Sequence, residues 1–286
     1  MFRHRLRLIV VGLYLAAATV GAVVSAVTGS ADALWLTVTW YPLDDSPFGT
    51  SSELDDSIVL LFVLLFATLM LRAWAFWQIF SFPPRGERPA DRRVVWLRRL
   101  LYLAVADDLI LWTLRDLLLP DTAVELLTLV LWTPLEVLFV LVLTGRSGAF
   151  RALALTLAGL NAVAVAASAV DELPGVRAPQ ILMSLGLAHI GWMIMIILGQ
   201  REDGRWSEIT VSLGRISLVL SLAGPVINFG FLYVIGTATG GLLIHLLSAF
   251  GVVSTVWLAR SAHEVAVAPE EKPRGSPAWP AARQPS

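Results

Sequence analysis

Apolar segments long enough to cross a bilayer recur along almost the whole of this 286-residue chain. A helix needs roughly 20 apolar residues to span the hydrocarbon core. Eight stretches meet that length, over residues 8–28, 57–80, 95–118, 123–144, 150–170, 180–199, 210–235 and 237–259. Only 15% of the residues are charged and 57% are hydrophobic, whereas a soluble domain carries about 25% charged residues. The expected fold class is therefore all-α: a polytopic membrane bundle of eight transmembrane helices, forming one domain over residues 1–260.

The charges test this count. Arg3, Arg5 and Arg7, then Arg85, Arg88, Arg92, Arg93, Arg98 and Arg99, then Arg146 and Arg151, then Arg201, Arg205 and Arg215, and finally Arg260 fall on one side of the alternation. The other side holds Arg177 but also Asp32, Asp44, Asp45, Glu53, Asp55, Asp56, Asp121, Asp171 and Glu172. Basic residues collect in cytoplasmic loops, so both termini are expected in the cytoplasm. Thr50 with Glu53 and Thr122 with Glu125 have the spacing of capping boxes before the second and fourth spans. The basic start and Ala31-Asp32-Ala33 resemble a secretory leader, but the apolar stretch exceeds the 7–15 residues of such a region. The first span is accordingly expected to be a membrane helix.

Outside the spans little room remains for chemistry. The outer loop 29–56 is acidic and aromatic, and its Leu34–Tyr41 stretch can lie in the membrane interface. The tail 261–286, rich in Pro, Ala and Gly, is expected to be disordered. The basic loop 81–93 suits anionic membrane lipids, and no nucleic-acid partner is expected. Lys272 is the chain's one lysine against its many arginines, a bias that points to a GC-rich bacterial genome and a bacterial plasma membrane. There is no cysteine, hence no disulfide or thiolate chemistry. No phosphate-binding loop, dinucleotide fingerprint or zinc-protease motif occurs.

Ionisable groups at bilayer depth cost about 2.5–3.5 kcal/mol even on insertion scales, which makes each a functional candidate. Asp107, Asp108, Glu136 and His189 are the expected catalytic groups. Trp112, Trp132 and Trp192 each stand one helical turn from one of them and, with Arg115, Asn161 and Asn228, are the expected ligand-binding residues. These residues are expected to line one chamber formed mainly by the third, fourth and sixth spans. Trp206 and Trp257 fit the inner interfacial belt, with Trp74, Trp77 and Trp96. A purely structural alternative pairs Asp107 with His189 or Asp108 with Arg115 to fix helix register. Asp107-Asp108 is followed only by Asp116, a spacing that argues against diphosphate–magnesium binding. No resident cofactor is expected; His189 and His245, on separate spans, are the pair that would ligate a haem b.

The function expected is acid–base chemistry, isomerisation or cyclisation, on a lipophilic small molecule such as an isoprenoid. Aromatic faces beside the acid would stabilise positive charge. The competing classes are a small proton-coupled secondary transporter, with spans 2–4 and 5–7 as inverted halves, and an accessory or sensor subunit without chemistry.

Overall fold

The computed structural model describes residues 2–29, 32–39, 58–81, 91–111, 118–173, 175–230 and 251–267. Among these, every regular element is a helix and no strand occurs. In chain order the helices are α1 (Phe2–Thr28), α2 (Asp32–Thr39), α3 (Ile58–Ser81), α4 (Arg92–Ala106), α5 (Asp121–Val142), α6 (Gly148–Asp171), α7 (Gln180–Ser184), α8 (Leu187–Asp203), α9 (Glu208–Gly230) and α10 (Val252–Glu264).

Among the described residues four helical segments are long and apolar enough to cross a membrane: Arg5–Thr28, Asp121–Val142, Gly148–Asp171 and Gln180–Asp203. Only 17% to 29% of each apolar window is buried within the protein. Most of this hydrophobic surface therefore faces outward, which lipid tolerates and water does not.

Local chemistry explains several helix ends. Asp91 accepts the Arg93 amide at 2.8 Å and starts α4. Ser147 does the same for α6 through the Phe150 amide. Gly204, at φ 79°, ends α8 in the left-handed conformation that glycine adopts without strain. The expected Thr122–Glu125 capping box does not form. Pro120 takes the cap position in extended conformation, and its carbonyl accepts the amides of Ala123 and Val124. Thr50 and Glu53 lie outside the described residues.

Three expected spans differ in detail. The third leaves α-helical geometry at Ala106 and widens into a π-helical turn, Asp107–Leu111. The sixth is split into α7 and α8 by a turn at Leu185–Gly186. The helix of the eighth runs on to Glu264, past the expected start of the tail, because Ser261, His263 and Glu264 are buried against α9 and its neighbours. Within the expected outer loop, α2 folds back on α1 and α3. There the Tyr14 hydroxyl donates to the Val38 carbonyl at 3.3 Å, and the Leu34 amide donates to Ser25 Oγ at 2.9 Å.

The core is built around α5. It packs on α4 and α6; α6 packs on α8; and α10 packs on α3, α4 and α9. Phe139, fully buried, stacks on Trp206 and on Trp257 with ring centroids 5.9 and 6.2 Å away, and meets Trp192 edge-on at 6.1 Å. Trp206 and Trp257 are thus core residues, correcting their expected place in the interfacial belt: the indole N–H of Trp257 donates to Gln200 and that of Trp206 to the Ser261 carbonyl. Trp74, Trp77 and Trp96 do lie on the exposed surface, and Arg7 sits 4.3 Å over the Trp77 ring.

A polar clasp closes the same end of the bundle. Arg205 donates to both carboxylate oxygens of buried Asp203 and to the last α5 carbonyl, Val142. Asp203 also accepts the amide and hydroxyl of Thr144. Glu264 accepts from the Ser207 amide and hydroxyl and from Thr210. This network joins α5, α8, α9 and α10 before any site chemistry begins.

Candidate intramembrane carboxylate site

Glu136 stands two residues after Pro134 in α5. Proline has no amide to offer the carbonyl of Val130, so the α5 hydrogen-bond ladder is interrupted one turn and a half before the carboxylate. Glu136 itself is 1% exposed. A carboxylate so buried requires partners from other helices, and two arrive at one oxygen.

Asn161 of α6 donates its amide Nδ2 to Glu136 Oε1 at 2.9 Å. His189 of α8 places Nδ1 2.8 Å from the same oxygen. Nδ1 donates to that oxygen when it carries the imidazole proton and accepts from it when it does not. Oε2 of Glu136 is buried and makes no hydrogen bond among the described residues. The carboxyl group is therefore held by one oxygen and presents the other.

Tryptophans surround this pair. Trp192 lies one turn beyond His189 on α8; their rings stack at 5.6 Å, and its indole N–H donates to the Glu136 backbone carbonyl at 3.3 Å. Trp132, one turn before Glu136, meets the imidazole edge-on at 6.2 Å. The imidazole thus lies between two indoles, one third exposed, while the carboxylate beneath it is sealed. The turn at Leu185–Gly186 that splits the sixth span comes one turn before His189.

Five residues expected from the sequence meet here: Glu136, His189, Asn161, Trp132 and Trp192. The aspartates do not join them. Asp108 accepts the Thr255 hydroxyl of α10 at 3.1 Å, and Asp107 is buried at the start of the π-helical turn. α4 packs against both α5 and α10, and the Thr255 hydrogen bond of Asp108 is to α10 and not to Glu136. The helices that build the site are those of the fourth, fifth and sixth expected spans. The proposed Asp107–His189 pair is likewise replaced, since the imidazole binds Glu136. Trp112, Arg115 and His245 lie outside the described residues, as does the side chain of Asn228, so neither the Asp108–Arg115 pairing nor a His189–His245 haem site acquires a geometry. Among the described residues no cluster of three or more His, Asp or Glu side chains suits a metal ion.

Sequence reasoning missed the clasp of Asp203, Arg205, Gln200 and Glu264. Charges near span ends read as topological signals, and no spacing announced that they pair.

Fold and site together define an all-helical protein with membrane-length helices and a buried carboxylate–imidazole pair between them. Comparison with known proteins finds no matching family model, no matching curated protein and no matching solved structure.

Proposed function

We propose that this chain is an eight-span protein of a bacterial plasma membrane, both termini cytoplasmic, and that it catalyses proton transfer on a lipophilic substrate. Isoprenoids are the favoured class, since they carry double bonds and little polarity. The reading rests chiefly on one observation: Glu136 Oε1 is clamped by His189 and Asn161, while buried Oε2 has no hydrogen-bond partner among the described residues.

The chemistry balances without a co-reactant. Protonated Glu136 gives its proton from Oε2 to one carbon of a double bond, leaving a carbocation and a carboxylate. The carboxylate then removes a proton from the carbon on the other side of the cationic centre, so the double bond shifts by one position and the acid is regenerated. The indoles stabilise the intermediate positive charge. His189 can pass a proton to or from Oε1 across 2.8 Å, resetting the acid if solvent protons enter. The reading requires no resident cofactor; its partners are membrane lipids and the substrate.

The test uses deuterated water. Purified protein in lipid nanodiscs is incubated with the total lipid extract of a GC-rich bacterium, and the lipids are analysed by mass spectrometry. A lipid species gaining carbon-bound deuterium with the parent protein and not with Glu136→Gln supports the reading; equal labelling with both overturns it.

A second reading has its own observation. The helix break at Leu185–Gly186, adjoining a titratable residue, is the arrangement transporters use at midplane sites. On that reading Glu136 and His189 relay protons. Proteoliposomes carrying an internal pH dye would then show proton uptake that depends on Glu136, and no lipid labelling.

A further inference from the structure

The unpartnered oxygen of Glu136 says more than that an acid is present. Buried polar atoms in folded proteins are nearly always hydrogen-bonded, and an exception marks a missing partner. Here Asn161 Nδ2 donates to Oε1, and His189 Nδ1 meets the same oxygen. Among the described residues no donor reaches Oε2. A ligand that completes the carboxyl group must therefore hydrogen-bond Oε2, in a residue only 1% exposed.

Charge narrows the choice. An alcohol would give Oε2 a neutral hydrogen bond. An amine can in addition take the proton of the acid, so that an ammonium N–H meets a carboxylate oxygen, and charge-assisted hydrogen bonds are about twice as strong as neutral ones. The neighbouring indoles of Trp132 and Trp192 add the aromatic faces that cations prefer.

We propose that the Glu136 site binds lipophilic tertiary amines in their ammonium form, with the ammonium N–H on Oε2 and the alkyl chain in the surrounding apolar helices. The inference rests on the acid–base reading above and deepens it. An ammonium nitrogen reproduces the charge of the carbocation that Glu136 would create, and a group complementary to that intermediate binds its stable mimic more tightly than the neutral substrate.

The experiment compares three probes of one chain length on the full-length parent protein in nanodiscs: N,N-dimethyldodecylamine, its N-methylated quaternary ammonium, and 1-dodecanol. Binding is followed by quenching of tryptophan fluorescence and by the thermal melting temperature. The expected order is tertiary amine first, quaternary ion second, alcohol last, with the amine about tenfold tighter than the alcohol. Glu136→Gln should lose the preference for the amine. Equal affinities for amine and alcohol in the parent protein overturn the proposal. So does the same amine preference in Glu136→Gln, which would report charge partition into the bilayer alone. If Glu136→Gln fails to fold, partition of the three probes into empty nanodiscs supplies the control, and an amine preference of the parent no greater than that background overturns the proposal. The deuterium test is scored separately: selective amine binding without labelling retains this inference and removes the enzyme reading, while labelling without amine selectivity does the reverse.

Discussion

Glu136 and His189 stand 53 residues apart and meet at 2.8 Å, on two helices that both pack against α6. Their contact brings a sealed carboxylate to a partly open imidazole, and Asn161 of α6 fixes the same oxygen from the side. This relationship sets the response to mutation. Glu136→Gln keeps an acceptor at Oε1 for both donors, so thermal stability should change by no more than about 1–3 kcal/mol. Glu136→Ala removes that acceptor, strands two partly buried side chains and leaves a cavity, and should cost about 3–5 kcal/mol. Melting of the two purified variants beside the parent checks this, and an equal loss in both would contradict the clamp.

Asn161→Ala should act through position, not through chemistry. The amide holds the carboxyl plane, and its removal leaves Oε1 on His189 alone. Stability should fall by about 1–2 kcal/mol. Deuterium labelling should fall about tenfold or more, and Asn161→Gln, one methylene too long, should not rescue it. Unchanged labelling in Asn161→Ala would show that Asn161 merely joins helices.

Gly214 offers a test of the core beneath the site. Alanine is ordinarily favoured over glycine inside a helix by about 1 kcal/mol. At this position, however, a Cβ would stand 2.9 Å from Trp257 Nε1 and 3.1 Å from Ile197. Trp257 cannot give way freely, because its N–H is bonded to Gln200 and its ring stacks on Phe139. Gly214→Ala should therefore destabilise by about 1–3 kcal/mol in spite of its helix propensity. A variant more stable than the parent would show that the tryptophan is loosely held.

The depth of the site was legible in the sequence for a simple reason. Glu136, His189 and Asn161 are polar groups inside long apolar runs, and lipid makes such groups expensive. Their tryptophan neighbours followed from helical spacing. What could not be read was partnership, because it depends on how each helix is rotated and tilted against the others. Asp107 and Asp108 had equal claims to the chamber by depth, yet the hydrogen bond from Thr255 turns Asp108 to α10. Trp206 and Trp257 were misread because nearby arginines suggested an interface, whereas Phe139 gives both rings an aromatic partner inside the core. The four membrane-length helices overlap the first, fourth, fifth and sixth expected spans and overrun them by up to four residues. The breaks in the third and sixth spans leave no comparable sequence signal, beyond Gly186 in the latter.

The absence of cysteine makes the proposed orientation directly testable. Single substitutions Ser46→Cys and Ser276→Cys introduce one thiol each, in the acidic loop and in the tail. A membrane-impermeant maleimide should label Ser46→Cys in intact cells, and Ser276→Cys only after permeabilisation. The positive-inside bias requires that order. The reverse order would invert the topology.

The clasp of Arg205 and Asp203 separates structural from chemical charge. The Asp203 side chain is fully buried and that of Arg205 is 4% exposed. Asp203 additionally holds the Thr144 amide, and Arg205 holds the Val142 carbonyl, so the pair ties the end of α5 to the junction of α8 and α9. Removing the cation strands a buried carboxylate. Arg205→Ala should therefore lose about 3–5 kcal/mol, while Arg205→Lys keeps the charge but not the forked geometry and should lose less. Neither substitution touches Glu136. At temperatures where Arg205→Lys remains folded, its lipid labelling should match the parent's, opposite to the behaviour of Glu136→Gln, which stays folded and loses labelling. The measurement is thermal melting paired with deuterium incorporation on the same preparations. A folded Arg205→Lys without labelling would make the clasp part of the site and undo its assignment to structure.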